Sequence, residues 1–496
     1  MPSLLRPALS HEQFQQRLRA ELSSRYPRPA ETLLPWANEL ATVWFTNLDP
    51  FRPILALAYP ASGRPVVYDP LSVLRSLLLC HQRQFRNITG WVAQLSREPV
   101  LAILSGFAPD AVPSVGTFYG FLRRMFPEVR AARVKGIIRP HRRVKKPASG
   151  HKLPPDRRKL ARLHRWLGHH LDQPLAPTPS ELWDQVLTAT VRQSVDQGVL
   201  SAQGPLRVAG DGSLLRSGAH SHGIKVCGCA ERCACPRYFS DPTARVGYDS
   251  TNNCFLLGRS AYVLTETGSG HHLPLTLELG PANRADSVSL MLSLGKAHRL
   301  LPVQGLTIST VFADSAHDHD PVYRWAVDLG IEPVFDRHGK LSQPSPEVSA
   351  RLDDAGLNLS EGRPRCAHGF LHSAGHCRTG VRQFQCPKAD PQTCSSLACP
   401  LRDGKRWTID IRQQPRLLAP NPKTEPAARK DYKARTNAER AFSLLTSASG
   451  LDTARHRRDY VWNGRLAITA VLIHARAWVR SATSSIGDWF RAWCTC

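Results

Sequence analysis

The sequence is poor in acidic residues relative to basic ones. It has 40 Asp and Glu against 65 Lys and Arg, which gives a formal net charge of +25 over 496 residues. Such an excess favours a polyanionic partner, above all nucleic acid, because Lys and Arg release condensed counterions when they meet phosphates. A membrane surface also attracts basic proteins, but the chain shows no matching amphipathic anchor. We therefore expect double-stranded DNA as the partner, and no membrane.

The chain also lacks the apolar stretches of targeting or membrane-spanning segments. Met1–Pro27 has no apolar centre of a signal peptide. The longest apolar run near the C-terminus, Leu466–Val479, is interrupted by His474 and Arg476. A phosphate-binding loop of the P-loop type and long polar low-complexity runs are absent too. The absence of targeting and membrane-spanning segments predicts a cytoplasmic protein, which we expect to be bacterial and associated with the nucleoid.

The length suffices for two to four domains, and residues 1–128 are predicted to form the first of them. Several short helices are predicted there, among them His11–Ser23, a helix that begins at Pro70, and a last helix ending on Arg123 and Arg124. Such a succession suits a helix-turn-helix-like DNA-binding unit. A plain helical bundle explains the pattern equally well. DNA binding is therefore expected of this domain without a defined geometry.

Residues 129–200 contain the most basic stretch of the chain. Between Arg130 and Arg165 the only acid is Asp156, and four prolines exclude one continuous helix. Basic segments of this kind lie along phosphate backbones without reading the base sequence. We predict a linker that contacts DNA, followed by a helix over residues 180–195. The cations expected to touch DNA are Arg142, Arg143, Lys145 and Lys146.

From residue 201 onward, strands alternate with helices, which is typical of α/β domains. The predicted strands are residues 206–210, 261–266, 273–279, 306–313 and 331–336, and the predicted helices are 286–300 and 321–329. After a long interruption the helix Tyr432–Thr446 follows. This order of elements is that of an RNase H-like fold. We therefore predict an α/β protein with an N-terminal all-helical domain and an RNase H-like catalytic domain, a mixed five-stranded sheet flanked by helices. The catalytic domain would span residues 201–340 and be completed by residues 426–496.

Three acidic residues fall where this topology brings elements together. Asp211 ends the first strand and Asp314 ends the fourth, and the expected fold makes these strands neighbours. The helix after the fifth strand packs across the sheet and brings Glu439 to the same place, with Tyr432 and Arg435 on one helical face. Taken singly, each acid is an ordinary turn or surface residue. Together they suit two Mg²⁺ or Mn²⁺ ions about 3.5–4 Å apart, one activating the attacking oxygen and one stabilising the leaving oxygen.

The same residues carry a resemblance to a known family. Tyr432, Arg435 and Glu439 match the signature Tyr-x2-Arg-x3-Glu-x6-Lys (YREK), and Thr446 stands where the signature has Lys. Similar pieces are GDGS at 210–213, SDPTARVGYDS at 240–250, GPANRADS at 280–287, FADSAHD at 312–318 and the run from GRPVVYDPLSVLR to VPSVGTFYGFLRR. In these pieces the chain resembles the DDE-type insertion-sequence transposases of that signature group, over most of residues 60–130 and 206–480.

The resemblance implies a transposase that binds terminal inverted repeats, cleaves DNA with metal-activated water and joins the 3′-hydroxyl to target DNA as a homodimer in a synaptic complex. It implies a catalytic, metal-binding triad of Asp211, Asp314 and Glu439, with Tyr432 and Arg435 on a phosphate near the transposon end. Two alternatives share these residues: an RNase H-fold nuclease without strand transfer, and an inactive, zinc-stabilised DNA-binding remnant of a transposase. The residues expected to replace the missing signature lysine are Arg455, Arg457 or Arg458.

The 13 cysteines of this large chain predict metal binding or free thiols rather than disulfides. One group lies in a Cys-rich insertion over residues 225–237, where four thiolates are close enough to share a structural Zn²⁺: Cys227, Cys229, Cys233 and Cys235. A second, Cys/His-rich insertion over residues 341–425 supplies further candidate zinc ligands: Cys377, Cys386, Cys394 and Cys399. Free thiols are the alternative in both insertions. Neither group is expected to be catalytic, because phosphoryl transfer needs oxygen ligands.

Overall fold

The computed structural model describes most of the chain. The described residues are 9–59, 66–126, 136–139, 153–171, 182–231, 233–250, 252–338, 341–378, 380–388, 390, 399 and 401–495. Several residues of the predicted DNA contacts and zinc ligands lie outside this set, or have side chains outside it: Arg142, Arg143, Lys145, Lys146, Cys394 and the side chain of Cys377. The predictions made for them stay predictions.

The N-terminal region is built from eight α-helices within the described residues. They are α1 (His11–Arg25), α2 (Pro29–Thr32), α3 (Ala37–Phe45), α4 (Arg52–Leu57), α5 (Pro70–Gln82), α6 (Ile88–Arg97), α7 (Pro99–Ser105) and α8 (Val115–Met125). Local sequence sets their starts. Ser10 and Gln13 form a capping box at α1, and Asp69 caps α5, which begins at Pro70 as the sequence predicts. Their apolar faces enclose a core around the fully buried Trp91.

Three elements lead from this region to the sheet domain. They are β1 (Ile137–Arg139), α9 (Lys159–His170) and α10 (Leu182–Asp196). Helix α10 packs against two hydrophobic cores. Leu182 and Val186 pack with the N-terminal helices, whereas Leu187 and Val191 pack with the sheet domain. The two regions are therefore joined by a continuous apolar contact rather than by the linker alone.

The sheet domain follows in a strand-rich order. Its elements are β2 (Leu206–Arg216), β3 (Ile224–Lys225), β4 (Arg237–Phe239), β5 (Arg245–Asp249), β6 (Cys254–Glu266), β7 (Pro274–Pro281), α11 (Asp286–Leu300), β8 (Ile308–Ala313), α12 (Asp320–Asp328) and β9 (Glu332–Phe335). The main sheet has the order β5-β6-β2-β8-β9, and β7 also pairs with β6. Strands β5, β6, β7 and β2 pair antiparallel, while β2, β8 and β9 run parallel. The sheet is mixed, with β2 at its centre.

The five predicted strands are all present, but two of them are longer than predicted. Strand β2 continues to Arg216, and β6 begins at Cys254. Strand β5 was not predicted. It pairs with the first part of β6 and raises the number of strands in the whole sheet to six. The segment Gly210–Ser213 has low strand propensity and extends only because β6 pairs with it along its whole length.

The insertion between β9 and the C-terminal helices folds around its own apolar core. Its elements are α13 (Pro346–Asp353), β10 (Asn358–Ser360), β11 (Arg363–Cys366), β12 (Gly369–Phe370), β13 (His372–Arg378), β14 (Val381–Gln385), β15 (Trp407–Asp410) and α14 (Pro415–Leu418). They form two three-stranded sheets, β10-β11-β12 and β13-β14-β15. Leu371, Phe384 and Trp407 are buried between them. Apolar burial thus orders this insertion, whatever its cysteines bind.

The chain ends with four helices. They are α15 (Pro426–Tyr432), α16 (Thr436–Thr446), α17 (Asp459–Ala482) and α18 (Ile486–Thr495), with a 3₁₀ turn at Lys433–Arg435. Helix α17 is buried on two sides: Trp462 and Leu466 lie in the sheet-domain core, and Ile468 and Leu472 lie in the N-terminal core. Among the described residues, no helix combines the length and apolarity needed to cross a membrane.

Candidate active site

Two of the predicted acids come together because their strands are paired neighbours. The parallel ladder between β2 and β8 ends at the pair Ala209–Phe312, and Asp211 and Asp314 each follow two residues later. Side chains two residues apart on a strand share a face. The register therefore directs both carboxylates to one face of the sheet, just beyond the end of the β2–β8 ladder. The prediction that Asp211 ends its strand is wrong, because β2 continues to Arg216 through its pairing with β6.

Asp211 lies between two glycines that make room for its neighbours. A Cβ on Gly210 would lie 2.3 Å from the Tyr262 hydroxyl oxygen, and a Cβ on Gly212 would lie 2.3 Å from Oδ1 of Asp286. Neither position tolerates a side chain without displacement of these polar groups. The GDG sequence is thus a packing requirement of the site, and it brings Asp286 next to Asp211.

Asp286 is an acid that the sequence analysis did not single out. It is the first residue of α11, and its carboxylate lies against Gly212, close enough for its charge to raise the pKa of Asp211. The available signal was the motif GPANRADS, in which an acid opens the helix directly after the third predicted strand. Burial raises the pKa of Asp286; His317 acts to lower it, and the charge of Asp314 raises it further. The site therefore contains a third aspartate beside the two predicted ones.

The charge of Asp211 is poorly compensated. Burial raises its pKa to about 6, and the charges of Asp314 and Asp286 add to the rise. The backbone N–H of Gly212 donates to Oδ1 at 2.9 Å, and this hydrogen bond and the more distant Arg435 act in the opposite direction. Within the described part of the chain, Asp211 forms no ion pair with Lys or Arg. A carboxylate in this condition favours any added cation.

Asp314 has a different environment, because two hydrogen bonds hold it. Its Oδ1 accepts from the backbone N–H of Ala316 at 3.0 Å and from Nδ1 of His317 at 2.7 Å. Burial acts to raise the pKa of Asp314, but the hydrogen bond and charge of His317 bring it below its ordinary value. Asp314 is therefore the better stabilised anion of the pair.

His317 is the second residue of the site that the sequence did not identify. Its neighbours in the sequence predict a solvated loop, yet its side chain is 1% exposed. The imidazole lies between Asp314 and Tyr262, whose hydroxyl is 2.9 Å from Nε2. No local pattern predicts this burial, because Tyr262 comes from β6 and the other ring contact, Phe335, comes from β9.

The third predicted acid, Glu439, is carried by α16 on the same face of the sheet. Ala438 packs against Ala209 and Phe312, the last pair of the β2–β8 ladder. Glu439 is the next residue and is half-exposed, and its Oε1 forms an ion pair of 2.7 Å with Nη2 of Arg435. The helix thus covers the face of the sheet that carries Asp211 and Asp314, and the Glu439 carboxylate is turned towards Arg435.

The helix predicted over Tyr432–Thr446 is not continuous. Tyr432 ends α15, residues Lys433–Arg435 form a 3₁₀ turn, and α16 begins at Thr436. In a 3₁₀ turn residues three apart eclipse each other, which stacks Arg435 over the Tyr432 ring at 5.8 Å. The Tyr432 hydroxyl donates to the carbonyl of Ala313 at 3.2 Å, directly before Asp314. Both predicted phosphate contacts therefore border the acids, with the tyrosine hydroxyl engaged by the backbone.

The donor set fits a hard divalent cation, because carboxylate oxygens are the ligands that Mg²⁺ and Mn²⁺ prefer. The carboxylates are not closed around a single point: among the described residues, only the cluster of four cysteines has ligand atoms all within 4.8 Å of one another. In this arrangement Glu439 pairs with Arg435.

A groove of about 1050 Å³ leads away from this site. Its wall includes Asp286, the last residues of β2, the turn between β5 and β6, Thr446 and Arg455. Thr446 therefore faces the same groove as one of the three arginines proposed to replace the signature lysine. Its hydroxyl donates to the carbonyl of Phe442 at 2.7 Å and presents no charge.

The first cysteine group is assembled as a possible metal site. The sulfur atoms of Cys227, Cys229, Cys233 and Cys235 all lie within 4.8 Å of one another. The separations are 3.3 Å for Cys227–Cys233 and 3.7 Å for Cys229–Cys235, close to the roughly 3.8 Å between thiolates on a tetrahedral Zn²⁺. This cluster could bind a structural metal such as zinc.

The second cysteine group is described only in part. Cys386 and Cys399, together with Cys366, pack as partly buried side chains against the core of the insertion. The Cys377 side chain and Cys394 lie outside the described residues. Zinc binding by this group therefore stays a prediction.

Comparison with known proteins gives little beyond these observations. No protein-family model matches the chain, and no curated protein matches its sequence. A solved structure, described as the piggyBac transposase synaptic complex with hairpin DNA, aligns with 92% of this chain and 79% of that chain, at 11% identity and a TM-score of 0.37. A TM-score this low does not establish a shared fold. The function has to be argued from the residues of the site.

Proposed function

We propose that this chain is a DDE-type DNA transposase that binds terminal inverted repeats, cleaves DNA strands and transfers the 3′-hydroxyl to target DNA. The observation that carries the proposal is that Asp211 and Asp314 each lie two residues beyond the last pair of the parallel β2–β8 ladder, with Glu439 on the helix that covers the same face. Acids at this junction are the ligands that two-metal phosphoryl transfer uses.

The strand order supports an RNase H-like catalytic domain. Three strands pair antiparallel in sequence order, β2, β6 and β7, and two more, β8 and β9, add in parallel on the other side of β2. The helix α11 connects the antiparallel half to the parallel half. This is the arrangement expected from the order of elements in the sequence, with β5 as an addition at the edge.

In the proposed reaction Asp211, Asp314 and Glu439 hold two Mg²⁺ or Mn²⁺ ions. When bound, these ions activate the attacking oxygen and stabilise the leaving oxygen. Arg435, whose guanidinium pairs with Glu439 at 2.7 Å, would bind a DNA phosphate beside the site together with Tyr432.

The excess of positive charge supports DNA as the partner. With a net charge of +25, the chain has an electrostatic attraction for any polyanion. The cations proposed to lie along DNA are Arg142, Arg143, Lys145 and Lys146. Pairing of two transposon ends would require a homodimer, and the Cys227–Cys235 cluster would hold a structural Zn²⁺ away from the chemistry.

The experiment is a cleavage and strand-transfer assay on linear DNA that carries the inverted repeats flanking the coding region. Asp211→Ala, Asp314→Ala and Glu439→Ala should each lower Mg²⁺-dependent cleavage by on the order of 10³-fold or more. Asp353→Ala is the control, since Asp353 is an exposed acid of α13 that does not border the groove. Its activity should stay near that of the unmodified chain.

The products separate the proposal from its alternatives. Joined products with target DNA support a transposase, and cleavage without joining supports an RNase H-fold nuclease. Salt-sensitive DNA binding without any metal-dependent cleavage would identify a zinc-stabilised DNA-binding remnant. Cleavage that survives all three alanine substitutions would refute the triad.

A further inference from the structure

His317 and Tyr262 form a buried hydrogen-bonded chain that ends on Asp314. His317 Nδ1 is 2.7 Å from Asp314 Oδ1, and Nε2 is 2.9 Å from the Tyr262 hydroxyl. A carboxylate only accepts hydrogen bonds, so Nδ1 carries the proton in this contact. The other ring nitrogen, Nε2, forms the hydrogen bond with the Tyr262 hydroxyl. Every polar atom of the imidazole is thereby satisfied.

The far end of this chain is fixed by the sheet. Tyr262 is fully buried in β6, where it pairs in register with Gly212 of β2. Its hydroxyl occupies the space that a Cβ on Gly210 would fill. The His317 ring is enclosed between Tyr262, at 5.8 Å between centroids, and Phe335, at 6.2 Å. Such packing leaves the imidazole little freedom to rotate.

Asp314 lies at the other end of this hydrogen-bonded chain, and the contacts there fix the orientation of its carboxylate. Both hydrogen bonds recorded for its carboxylate, from the backbone N–H of Ala316 and from His317, go to Oδ1. Among the described residues, Oδ2 has no donor. Two donors on one oxygen fix the plane of the carboxylate and leave the other oxygen open to a ligand, which is how residues behind a metal site orient a ligating carboxylate.

We propose that His317, held by Tyr262, is a positioning residue that orients the Asp314 carboxylate and presents its Oδ2 to a divalent cation. This inference rests on the proposed function, because it assigns a cation to Asp314. It adds two residues, His317 and Tyr262, that the predicted triad does not include. It also links the two acids: the same Tyr262 hydroxyl that holds His317 lies against Gly210, the residue before Asp211.

Two substitutions of His317 separate the hydrogen bond from the packing. In His317→Asn the amide nitrogen takes the place of Nδ1 and can still donate to Asp314. In His317→Gln the amide nitrogen takes the place of Nε2, so the donor to Asp314 is lost while a polar group faces Tyr262. Tyr262→Phe removes only the hydroxyl. His319→Gln is the matched control, because His319 is an exposed histidine two residues away.

The measurement is Mn²⁺ binding to the full chain without DNA, followed by the electron paramagnetic resonance signal of free Mn²⁺. We expect His317→Gln to weaken Mn²⁺ binding about 10- to 100-fold. The loss should be smaller for Tyr262→Phe, and His317→Asn should recover most of the affinity. His319→Gln should bind like the unmodified chain. Circular dichroism establishes that each variant is folded, and Tyr262→Phe tests the chain of hydrogen bonds even if a His317 variant does not fold.

The possible outcomes distinguish this inference from the proposed function. If Asp211→Asn and Asp314→Asn leave Mn²⁺ binding unchanged, the metal site itself is wrong. If they abolish binding but folded His317→Gln and Tyr262→Phe bind normally, only the role of His317 is overturned. Equal losses in His317→Gln and His317→Asn would also overturn it, because the imidazole would then act by packing and not by donating to Asp314.

Discussion

Two groups of acids in the sheet domain have opposite surroundings. Asp241 is fully buried, and Arg259 donates to both of its oxygens, at 2.7 and 2.8 Å, while the Ser217 hydroxyl adds a third bond at 2.6 Å. Asp459, in the first turn of α17, also pairs with Arg259. Asp211, by contrast, receives one hydrogen bond, from the adjacent backbone N–H. Asp241 is therefore neutralised by Arg259, whereas Asp211 has no such partner among the described residues.

The difference is informative because the chain does not lack cations. With 65 Lys and Arg, a partner for Asp211 or Asp286 would be easy to supply. Instead Asp211, Asp286 and Asp314 lie close enough for their charges to interact, while Arg259 pairs with Asp241. Such a group of carboxylates destabilises a fold, which supports the cation site proposed above. The Arg259 cluster, in turn, ties β6 to α17 and is structural.

The largest effect is expected from breaking the compensated cluster. Arg259→Met keeps the length of the side chain and removes its charge, which leaves Asp241 buried without a cation. The free energy of unfolding should fall by about 3–5 kcal/mol, measured by urea denaturation. Arg216→Met, at an exposed arginine of β2, should change it by less than about 0.5 kcal/mol. A loss below about 1 kcal/mol for Arg259→Met would mean that the cluster does not stabilise the fold.

Asp211→Asn should act in the opposite direction and stabilise the metal-free protein. The pKa of Asp211 is about 6 in the fold against 3.8 for an ordinary Asp, so the fold binds the proton more tightly than the unfolded chain does. The stability conferred by that protonation is complete below about pH 4 and is lost as pH rises through 6. At pH 7 in EDTA we expect Asp211→Asn to gain about 1–3 kcal/mol, and at pH 4 to gain nothing.

The same substitution at the compensated acid provides the control. Asp241→Asn should lower the melting temperature at pH 7, because it removes a charge that Arg259 requires. If Asp211→Asn destabilises the protein at pH 7, or if its gain persists at pH 4, Asp211 is compensated in a way that the contacts described above do not include.

The order of elements was predictable from sequence because each strand and helix carries its own pattern. Helix α11 is found at Asp286–Leu300, where its periodicity predicts it. The errors occur where tertiary contacts decide. Strand β5 forms on the edge of β6, and the 3₁₀ turn at Lys433–Arg435 interrupts a pattern that is helical on both sides. Both features depend on the surrounding fold, which the intrinsic propensities of a short run of residues do not include.

Only part of the site was predictable from the sequence. Asp211 and Asp314 could be found because each follows an apolar run of residues, and the expected fold pairs these two runs side by side. Asp286 and His317 could not be ranked, since one looks like an ordinary helix-start acid and the other like part of a solvated loop. Their importance depends on Gly212 and on residues of β6 and β9, which approach only in the fold.

The smallest expected effect concerns the cation missing from the signature. Thr446 faces the groove beside the acids, and Arg455 borders the same groove with Nη1 bonded to the carbonyls of Asp452 and Ala454 at 2.6 and 2.7 Å. Thr446→Lys should tighten binding to inverted-repeat DNA by a few-fold and steepen its salt dependence by about one phosphate contact, measured by fluorescence anisotropy over a salt series.

The control is Ser443→Lys, an exposed position of the same helix that does not border the groove. It adds the same charge elsewhere and should change binding less. Arg455→Gln should weaken binding if Arg455 has taken over the role of the signature lysine, and Thr446→Lys should then restore it. Equal gains from Thr446→Lys and Ser443→Lys would show that the added charge acts only through the overall attraction to DNA. In that case the groove beside the uncompensated acids would not be the path of the transposon end.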